Sequence, residues 1–498
     1  MSTDWRTSRL TMCGGLTILA FALRAPTLVS RLFDPDEAAI GVQAMVLRAG
    51  GTLYTDIYDR KPPLPPVLYA ASFSLTDSND VRLIRVLVTI MLAASGILVA
   101  FECLRRWGPR HAWCGGVLLI AGALALFPAD AGAANYAHFA LLPGTAAIIW
   151  ARRGTLPTAV AAGVAIGVAI LCRQSWLLGV VPACVSVGLH GRWRNVPTCV
   201  AAAAATVATT GFYAPLGRFW EWNVTNSPSF VFAGTGIWSA LGKGLASVAG
   251  FIGFHPVLIV AVGLATVPSI AAIKRRTIPA DVDLWLWVAA GIAAWAAGFR
   301  FFGHYWLQVA PPLVLLAVPV VTGWTRRART AAIVGAAVPA VAAWVLLFIP
   351  GSFHNRPDPA VLASYVRSHT TTADRVFVWG SYPEVLLAAN RLPAGALVHT
   401  DFVVGRSGGR DDPGKTLASA IPGALDIMMK SLTEHPPQLI LDTSTAPDLG
   451  YRNFPTSLLP VVDRFIHDGY QQVGTVDGVT IWQRRIPLKV TAAHAPSA

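Results

Sequence analysis

Two short blocks of the chain hold residue types and spacings that could do chemistry. The first is Phe33-Asp34-Pro35-Asp36-Glu37. The second is Tyr54-Thr55-Asp56-Ile57-Tyr58-Asp59-Arg60-Lys61-Pro62-Pro63-Leu64. The first stands just past the end of an apolar segment, where desolvation raises a carboxylate pKa. A base poised in that way can take a proton from a hydroxyl, and Asp36 and Glu37 are the candidates. In the second block, Arg60 and Lys61 precede two prolines that stiffen the backbone, an arrangement suited to neutralising a phosphate. Asp59 belongs with them, and Asp34 and Asp56 are accessory acids. Each residue alone has a plainer reading, as a solvated loop acid or a snorkelling cation. The clustering favours the chemical one.

Further along, Arg173-Gln174 and Arg300-Phe301-Phe302-Gly303-His304-Tyr305 also fall at ends of apolar runs. If the helices converge, these ends surround the same cavity as the acidic block. Several cations meeting at a lipid–water boundary suit an anionic lipid headgroup. For His304 alone, packing is an equal alternative.

The elements that must position these residues are membrane spans. Of 498 residues, 54% are apolar and only 13% charged, about half the usual soluble share of roughly 25%. Apolar runs at 10–28, 82–101, 112–128, 134–151, 157–173, 175–190, 197–215, 244–270, 283–299, 304–324 and 331–349 predict about eleven transmembrane helices. The first run resembles a signal peptide, but no convincing small-residue cleavage site follows it, so it is read as a retained span. The clusters Arg6/Arg9, Arg105/Arg106/Arg110, Arg152/Arg153, Arg192/Arg194, Lys274–Arg276 and Arg326/Arg327/Arg329 all fall on one side of this topology. The positive-inside rule makes that side cytoplasmic. The N-terminus is then inside, and loop 29–81 and everything after 350 are outside. Residues 38–50 read as an interfacial helix with Gln43 and Arg48 on its polar face. The aromatics of 217–236 suit a headgroup boundary, and Arg24 an interfacial position.

The net charge of +13 belongs to residues 1–349, because 350–498 carries 13 bases and 13 acids. Since the cations lie in short loops between apolar runs, topology explains them better than nucleic acid does. The six cysteines fall in or beside apolar segments with no CxxC pair, which predicts neither a disulfide framework nor a thiolate metal site. Residues 350–498 change character. Strand-like pieces at 376–379, 439–441 and 479–482 alternate with helix-like pieces at 359–368, 382–390, 413–432 and 456–468. That alternation predicts a small α/β domain with a largely parallel sheet.

The run DPDEAAIGVQAMVLRAGGTLYTDIYDRKPPLPPVLYA resembles the first outer loop of bacterial glycosyltransferase family 39. That group is dolichyl-phosphate-mannose–protein mannosyltransferase-like, belongs to the GT-C superfamily and is related to the aminoarabinose transferases. An Asp-Glu pair after the first span and a Tyr-x-Asp…Lys-Pro-Pro block carry the resemblance. Val81-Arg82-Leu83-Ile84-Arg85, Arg173-Gln174, Gly303-His304-Tyr305, Trp379–Glu384 and Asn390-Arg391 extend it along most of the chain. It implies a GT-C transmembrane catalytic domain at 1–349, with catalytic loop 29–81, and an extracytoplasmic α/β domain at 350–498. It also implies an inverting transferase of the plasma membrane. The donor would be a sugar on a polyprenyl phosphate, and the acceptor a hydroxyl of a protein, lipid or glycan. Asp36 would be the base, Glu37 its orienting partner and Lys61 the phosphate contact. A divalent metal is left open, with no ligand set readable. The segment Ala134-Asn135-Tyr136-Ala137-His138-Phe139 departs from the family, which often carries an acid there; Asp130 or His138 would substitute. The competing readings are a lipid-linked-sugar flippase or transporter and a non-catalytic envelope-assembly relative. The scarcity of ionisable residues deep in the apolar runs argues against transport. The joint presence of Asp36, Glu37 and Lys61 argues against the non-catalytic relative.

Overall fold

In the computed structural model, residues 4–29, 34–124, 132–226, 230, 236–349, 357–407 and 412–485 are described. The chain forms two compact units, Met1–Arg356 and Pro357–Ala498.

The first unit is helical. Its helices are α1 (Asp4–Val29), α2 (Pro35–Arg48), α3 (Leu64–Thr76), α4 (Arg82–Trp107), α5 (Pro109–Leu124), α6 (Tyr136–Ala151) and α7 (Leu156–Cys172). A 3-10 turn, Gln174–Gly179, leads to α8 (Val180–His190), and α9 (Val196–Ala208), α10 (Ile237–Phe254), α11 (Pro256–Lys274), α12 (Val282–Ala296), α13 (Ala310–Gly323) and α14 (Arg326–Phe348) follow. Helix α4 packs against α1, α5 and α6, and α7 lies between α6 and α9. The α7–α9 approach depends on small residues: a Cβ on Gly163 would lie 2.2 Å from the Cys199 carbonyl oxygen.

Among the described residues, five helices are long and apolar enough to cross a membrane. They are Ser8–Val29, Arg82–Trp107, Ile237–Phe254, Pro256–Lys274 and Val282–Phe299. The pair Trp193–Phe212 and Leu216–Thr225, bent by 116°, makes up to six. Sequence patterning predicts eleven. Several of the remaining runs form apolar helices of 10–17 residues: Tyr136–Ala151, Leu156–Cys172, Gln174–His190 and Ala310–Gly323. At 1.5 Å per residue such helices fall short of a hydrocarbon core about 30 Å thick.

Helix α2 does not carry the exposed polar face expected at Gln43. Every residue from Glu37 to Val46 is buried. The small side chains of Ala38, Ala39, Gly41 and Ala44 let α3 and neighbouring segments close around it, and Gln43 turns inward to a buried partner. Arg24, expected at an interface, is fully buried. Its Nε donates to Thr89 Oγ1 at 3.1 Å and its Nη2 to the Gly132 carbonyl at 2.8 Å. The aromatic stretch is divided: Trp220 is exposed, whereas Trp222 is buried with its ring 4.9 Å from that of Tyr58.

The second unit contains α15 (Ala360–His369), β1 (Arg375–Trp379), α16 (Pro383–Ala389), β2 (Leu392–Pro393), α17 (Ala424–Glu434), β3 (Leu439–Asp442), α18 (Pro460–Gly469), β4 (Tyr470–Val476) and β5 (Val479–Arg484). The strand order is β2-β1-β3-β5-β4. The β2-β1-β3 part is parallel and the other two pairings are antiparallel, so the sheet is mixed where a largely parallel one was expected. The difference comes from β4, whose residues from Gln471 to Thr475 are exposed. With no buried run to mark it, β4 left no strand signal.

Candidate active site

Local chemistry fixes the Asp-Glu pair. Asp34 is the N-cap of α2 and its carboxylate accepts the Glu37 N–H at 2.9 Å, while Pro35 supplies a first turn that needs no amide donor. Asp36 and Glu37 are thereby placed in the first helical turn, where the helix dipole favours negative charge. Asp34 is thus a capping residue. Asp56, exposed, accepts the Thr52 amide at 2.7 Å and closes the next loop.

The two members of the pair have different surroundings. Glu37 is buried and held in a fork by Arg85, whose Nε donates to Oε1 at 2.8 Å and whose Nη2 bonds Oε2. Oε1 also accepts the Ala134 amide at 3.0 Å, and Arg85 Nη1 donates to the Thr27 carbonyl at 2.7 Å. This fork ties α1, α2, α4 and the start of α6 together. Glu37 thus directs its hydrogen bonds to the scaffold and anchors the start of α2. Asp36 is one third exposed, and Oδ1 takes a 2.6 Å bond from Lys61 Nζ.

The electrostatics reverse the expectation that burial raises the Asp36 pKa. Burial does push it up, and is the largest single influence. Lys61, His304 and Arg60 together outweigh it and hold the carboxyl down at about 2. Desolvation loses because three cationic or ionisable groups face one carboxylate.

Lys61 is itself constrained. Its ammonium lies 4.6 Å from the centroid of the Tyr136 ring, and its carbonyl accepts the Tyr54 hydroxyl at 2.7 Å. Asp59, buried, accepts from Gln43 Nε2 at 3.1 Å and the Tyr136 hydroxyl at 3.3 Å. It therefore supports the loop and does not present a carboxylate to a ligand. Gln174 Nε2 donates to the Arg60 carbonyl at 3.1 Å, and the Arg60 guanidinium lies 5.5 Å from the Phe230 ring centroid. Arg173 stacks over Tyr305 at 4.0 Å, and the Tyr305 ring meets that of His304 at 4.9 Å.

Asp36, Lys61, Arg60, Gln174, His304, Tyr305 and Arg173 are thus joined through successive contacts. Arg300 sits half-buried on the bend between Phe299 and Phe301, both left-handed (φ 54° and 56°). Asp130 lies outside the described residues. Asn135 caps α6, its Oδ1 accepting the Ala137 amide at 3.1 Å and lying 3.0 Å from His138 Nδ1. The partners that sequence reasoning missed as site residues are Arg85, Gln43 and Tyr136. For Arg85 the signal was present: an arginine at the entry of an apolar helix, opposite a buried acid, needs a partner.

The donor set does not fit a divalent metal. Asp36 is engaged by Lys61, and Glu37 by Arg85 and the Ala134 amide, so an entering dication would meet ammonium and guanidinium groups first. Among the described residues no three His, Cys, Asp or Glu side chains converge.

No family model and no curated protein matches the sequence. Solved structures do match the fold. ArnT from Cupriavidus metallidurans bound to undecaprenyl phosphate aligns over 97% of this chain and 98% of its own, with TM-score 0.59 and 15% identity. The oligosaccharyltransferase AglB from Archaeoglobus fulgidus, in complex with an inhibitory peptide and a dolichol-phosphate, aligns over 98% of this chain and 76% of its own, with TM-score 0.56 and 13% identity. Both are GT-C superfamily glycosyltransferases, and the chain shares their fold.

Proposed function

We propose that this chain is an inverting membrane glycosyltransferase. It moves a sugar from a polyprenyl-phosphate carrier to an acceptor hydroxyl at the outer face of the plasma membrane, with its N-terminus and basic loops inside. The observation that carries the reading is the Asp36–Lys61 pair within a ring of Arg60, Arg173, His304 and Tyr305. Neighbours of the same fold are seen with undecaprenyl phosphate and dolichol-phosphate, which supports a polyprenyl-phosphate ligand.

The pair also explains how a carboxyl held at about 2 becomes a base. A donor phosphate competes with Asp36 for Lys61. Once the ammonium turns to phosphate, the largest remaining influence on Asp36 is burial, which raises its pKa toward the range useful for proton transfer. The acceptor oxygen attacks the anomeric carbon, and its proton passes to Asp36. The bond from the anomeric carbon to the phosphate oxygen breaks, and the electron pair leaves on the phosphate. Lys61 and the neighbouring guanidiniums stabilise that charge. Donor binding thus arms the base.

The test uses purified protein in lipid nanodiscs, radiolabelled polyprenyl-phosphate sugars and an envelope acceptor fraction. Wild type is expected to consume one donor. Asp36→Asn is expected to bind that donor and transfer at background. Normal transfer by Asp36→Asn would remove the base assignment. Movement of lipid-linked sugar across vesicles without transfer would establish a flippase instead.

A further inference from the structure

Away from the Asp36 cluster, the far end of α4 borders a cleft that the transferase reading does not use. Helices α1, α4 and α5 pack against one another. Small residues set the approach: a Cβ on Gly15 would lie 2.7 Å from the Trp113 ring, and one on Gly116 would lie 2.6 Å from Leu16 Cδ1. The turn from α4 to α5 is short, with Gly108 at φ 97° followed by Pro109. Between that turn and the start of α1 lies a cavity of about 250 Å³. It is lined by Ser8, Arg9 and Met12 of α1, Leu104 of α4, and Ala112 and Trp113 of α5.

The walls set its depth. The span-length helix Ser8–Val29 begins at the cleft, and the span-length helix Arg82–Trp107 ends within one turn of Leu104. Two spans that stop side by side mark the boundary between hydrocarbon and headgroups. Leu10 and Ile18 of α1 and Val117 of α5 are exposed apolar side chains suited to lipid tails. Trp113 suits the boundary itself. What reaches a cleft at this depth is the head of a phospholipid with its first methylenes. A volume of about 250 Å³ is of that scale, just under the ~300 Å³ at which drug-sized pockets begin.

Charge selects the head. Among the described lining residues Arg9 is the charged one, and none is an acid. Arg9 is exposed, and its guanidinium lies 5.9 Å from the Phe101 ring centroid, against α4. Arg110, also exposed, follows Pro109 at the rim. Two acids of this end are held elsewhere: Glu102, buried, bonds Arg105 at 2.6 Å, and Asp281 bonds Arg106 at 2.6 Å. A guanidinium forks onto phosphate oxygens, and basic residues at a membrane boundary draw anionic lipids. We infer that the cleft between the start of α1 and the α4–α5 turn binds one anionic phospholipid. Arg9 holds its phosphate, and Met12, Leu104 and Trp113 lie along its upper chains. The inference rests on the chain's being a membrane protein and not on the transferase reading.

The test uses the full chain in nanodiscs of equal parts phosphatidylglycerol and phosphatidylcholine. Lipids retained on release from the disc are counted by native mass spectrometry. Wild type should retain one phosphatidylglycerol over phosphatidylcholine by about tenfold, the worth of one charge-assisted hydrogen bond, and excess inorganic phosphate should not displace it. Arg9→Gln should abolish the selectivity. Lys61→Met should keep it, which separates this cleft from the phosphate site proposed beside Asp36. If Arg9→Gln lowers the melting temperature, Ser8→Trp, which fills the cleft from an exposed position and keeps its charge, takes its place and should also reduce retention. Four results would each overturn the inference: equal retention of the two lipids by wild type, unchanged selectivity in the folded cleft variant, loss of selectivity in Lys61→Met, or displacement by inorganic phosphate, which would make this a free-phosphate site.

Discussion

Helix α4 carries a charged residue into each of two clusters. Arg85, near its start, grips Glu37 beside the Asp36–Lys61 pair. Glu102 lies about 26 Å further along the helix at 1.5 Å per residue. It bonds Arg105 at 2.6 Å and faces Arg153 at 3.4 Å and Arg152 at 3.9 Å. Nearby, Asp283 is buried between Arg152, Ser186 and His190, and Asp281 pairs with Arg106 at 2.6 Å. At the Glu102 end, acids and bases engage one another as cross-links between α4, α6, α8 and α12. At the Asp36 end, one fork, Glu37–Arg85, performs that structural task, and the adjoining pair is left a fifth to a third exposed. Two clusters of similar composition therefore differ in purpose. Two fully buried carboxylates, Glu102 and Asp283, each facing two or more basic side chains from other elements, give a clamp. A carboxylate a third exposed, with Lys61, His304 and Arg60 facing it, is the arrangement on which the proposed site rests.

The sharpest way to break this comparison is to remove one charge from each cluster. Asp36→Asn should lower transfer by about 10²–10⁴-fold, the usual worth of a positioned base, with little change in melting. An equal loss of melting temperature would make Asp36 structural. Arg152→Met leaves Asp283 buried without its cation and should cost about 3–5 kcal/mol of stability, read by thermal melting in detergent. A variant as stable as wild type would remove the clamp.

A pH titration sharpens the contrast. Asp36 is held at about 2, below its ordinary 3.8. Its contribution to stability is therefore present above about 3.8 and fades as pH falls toward 2. In the free protein the carboxylate stays ionised through the whole assay range. Lys61→Met removes the main opposing charge, so burial should raise the carboxyl above 3.8. An acid limb absent from wild type should then appear in the pH profile of residual transfer. Identical profiles would show that Lys61 does not set the Asp36 charge. The smallest expected effect is at Asp56, an exposed loop-closing acid: Asp56→Asn should alter melting by about 0.5 kcal/mol or less and leave transfer intact.

Much of this was legible in the sequence because it is local. The DPDE run is legible as the acidic block, although the sequence pattern starts the helix at residue 38 and the Asp34 cap and Pro35 start emerge only in the structure. The Lys-Pro-Pro block holds its cation beside these acids. What could not be read depends on partners far along the chain. Arg85 meets Glu37 from another helix, and Gln43 appeared as a surface residue until Asp59 and Tyr136 are seen around it. The direction of the Asp36 shift was likewise inaccessible, because it depends on Lys61, His304 and Arg60 together outweighing burial, and His304 arrives from far along the chain. In the second unit, alternation marked the buried strands β1, β3 and β5. Strand β4 was silent because its pairing is set by β5 and not by a buried face.

The most direct measurement is the binding of sugar-free undecaprenyl phosphate to wild type and Lys61→Met in nanodiscs, with melting recorded on the same samples. The account predicts at least a tenfold weaker affinity in the variant, the worth of about one charge-assisted contact, and a melting temperature close to wild type. Equal affinity for the two proteins would contradict the assignment of this end of the bundle as a phosphate site.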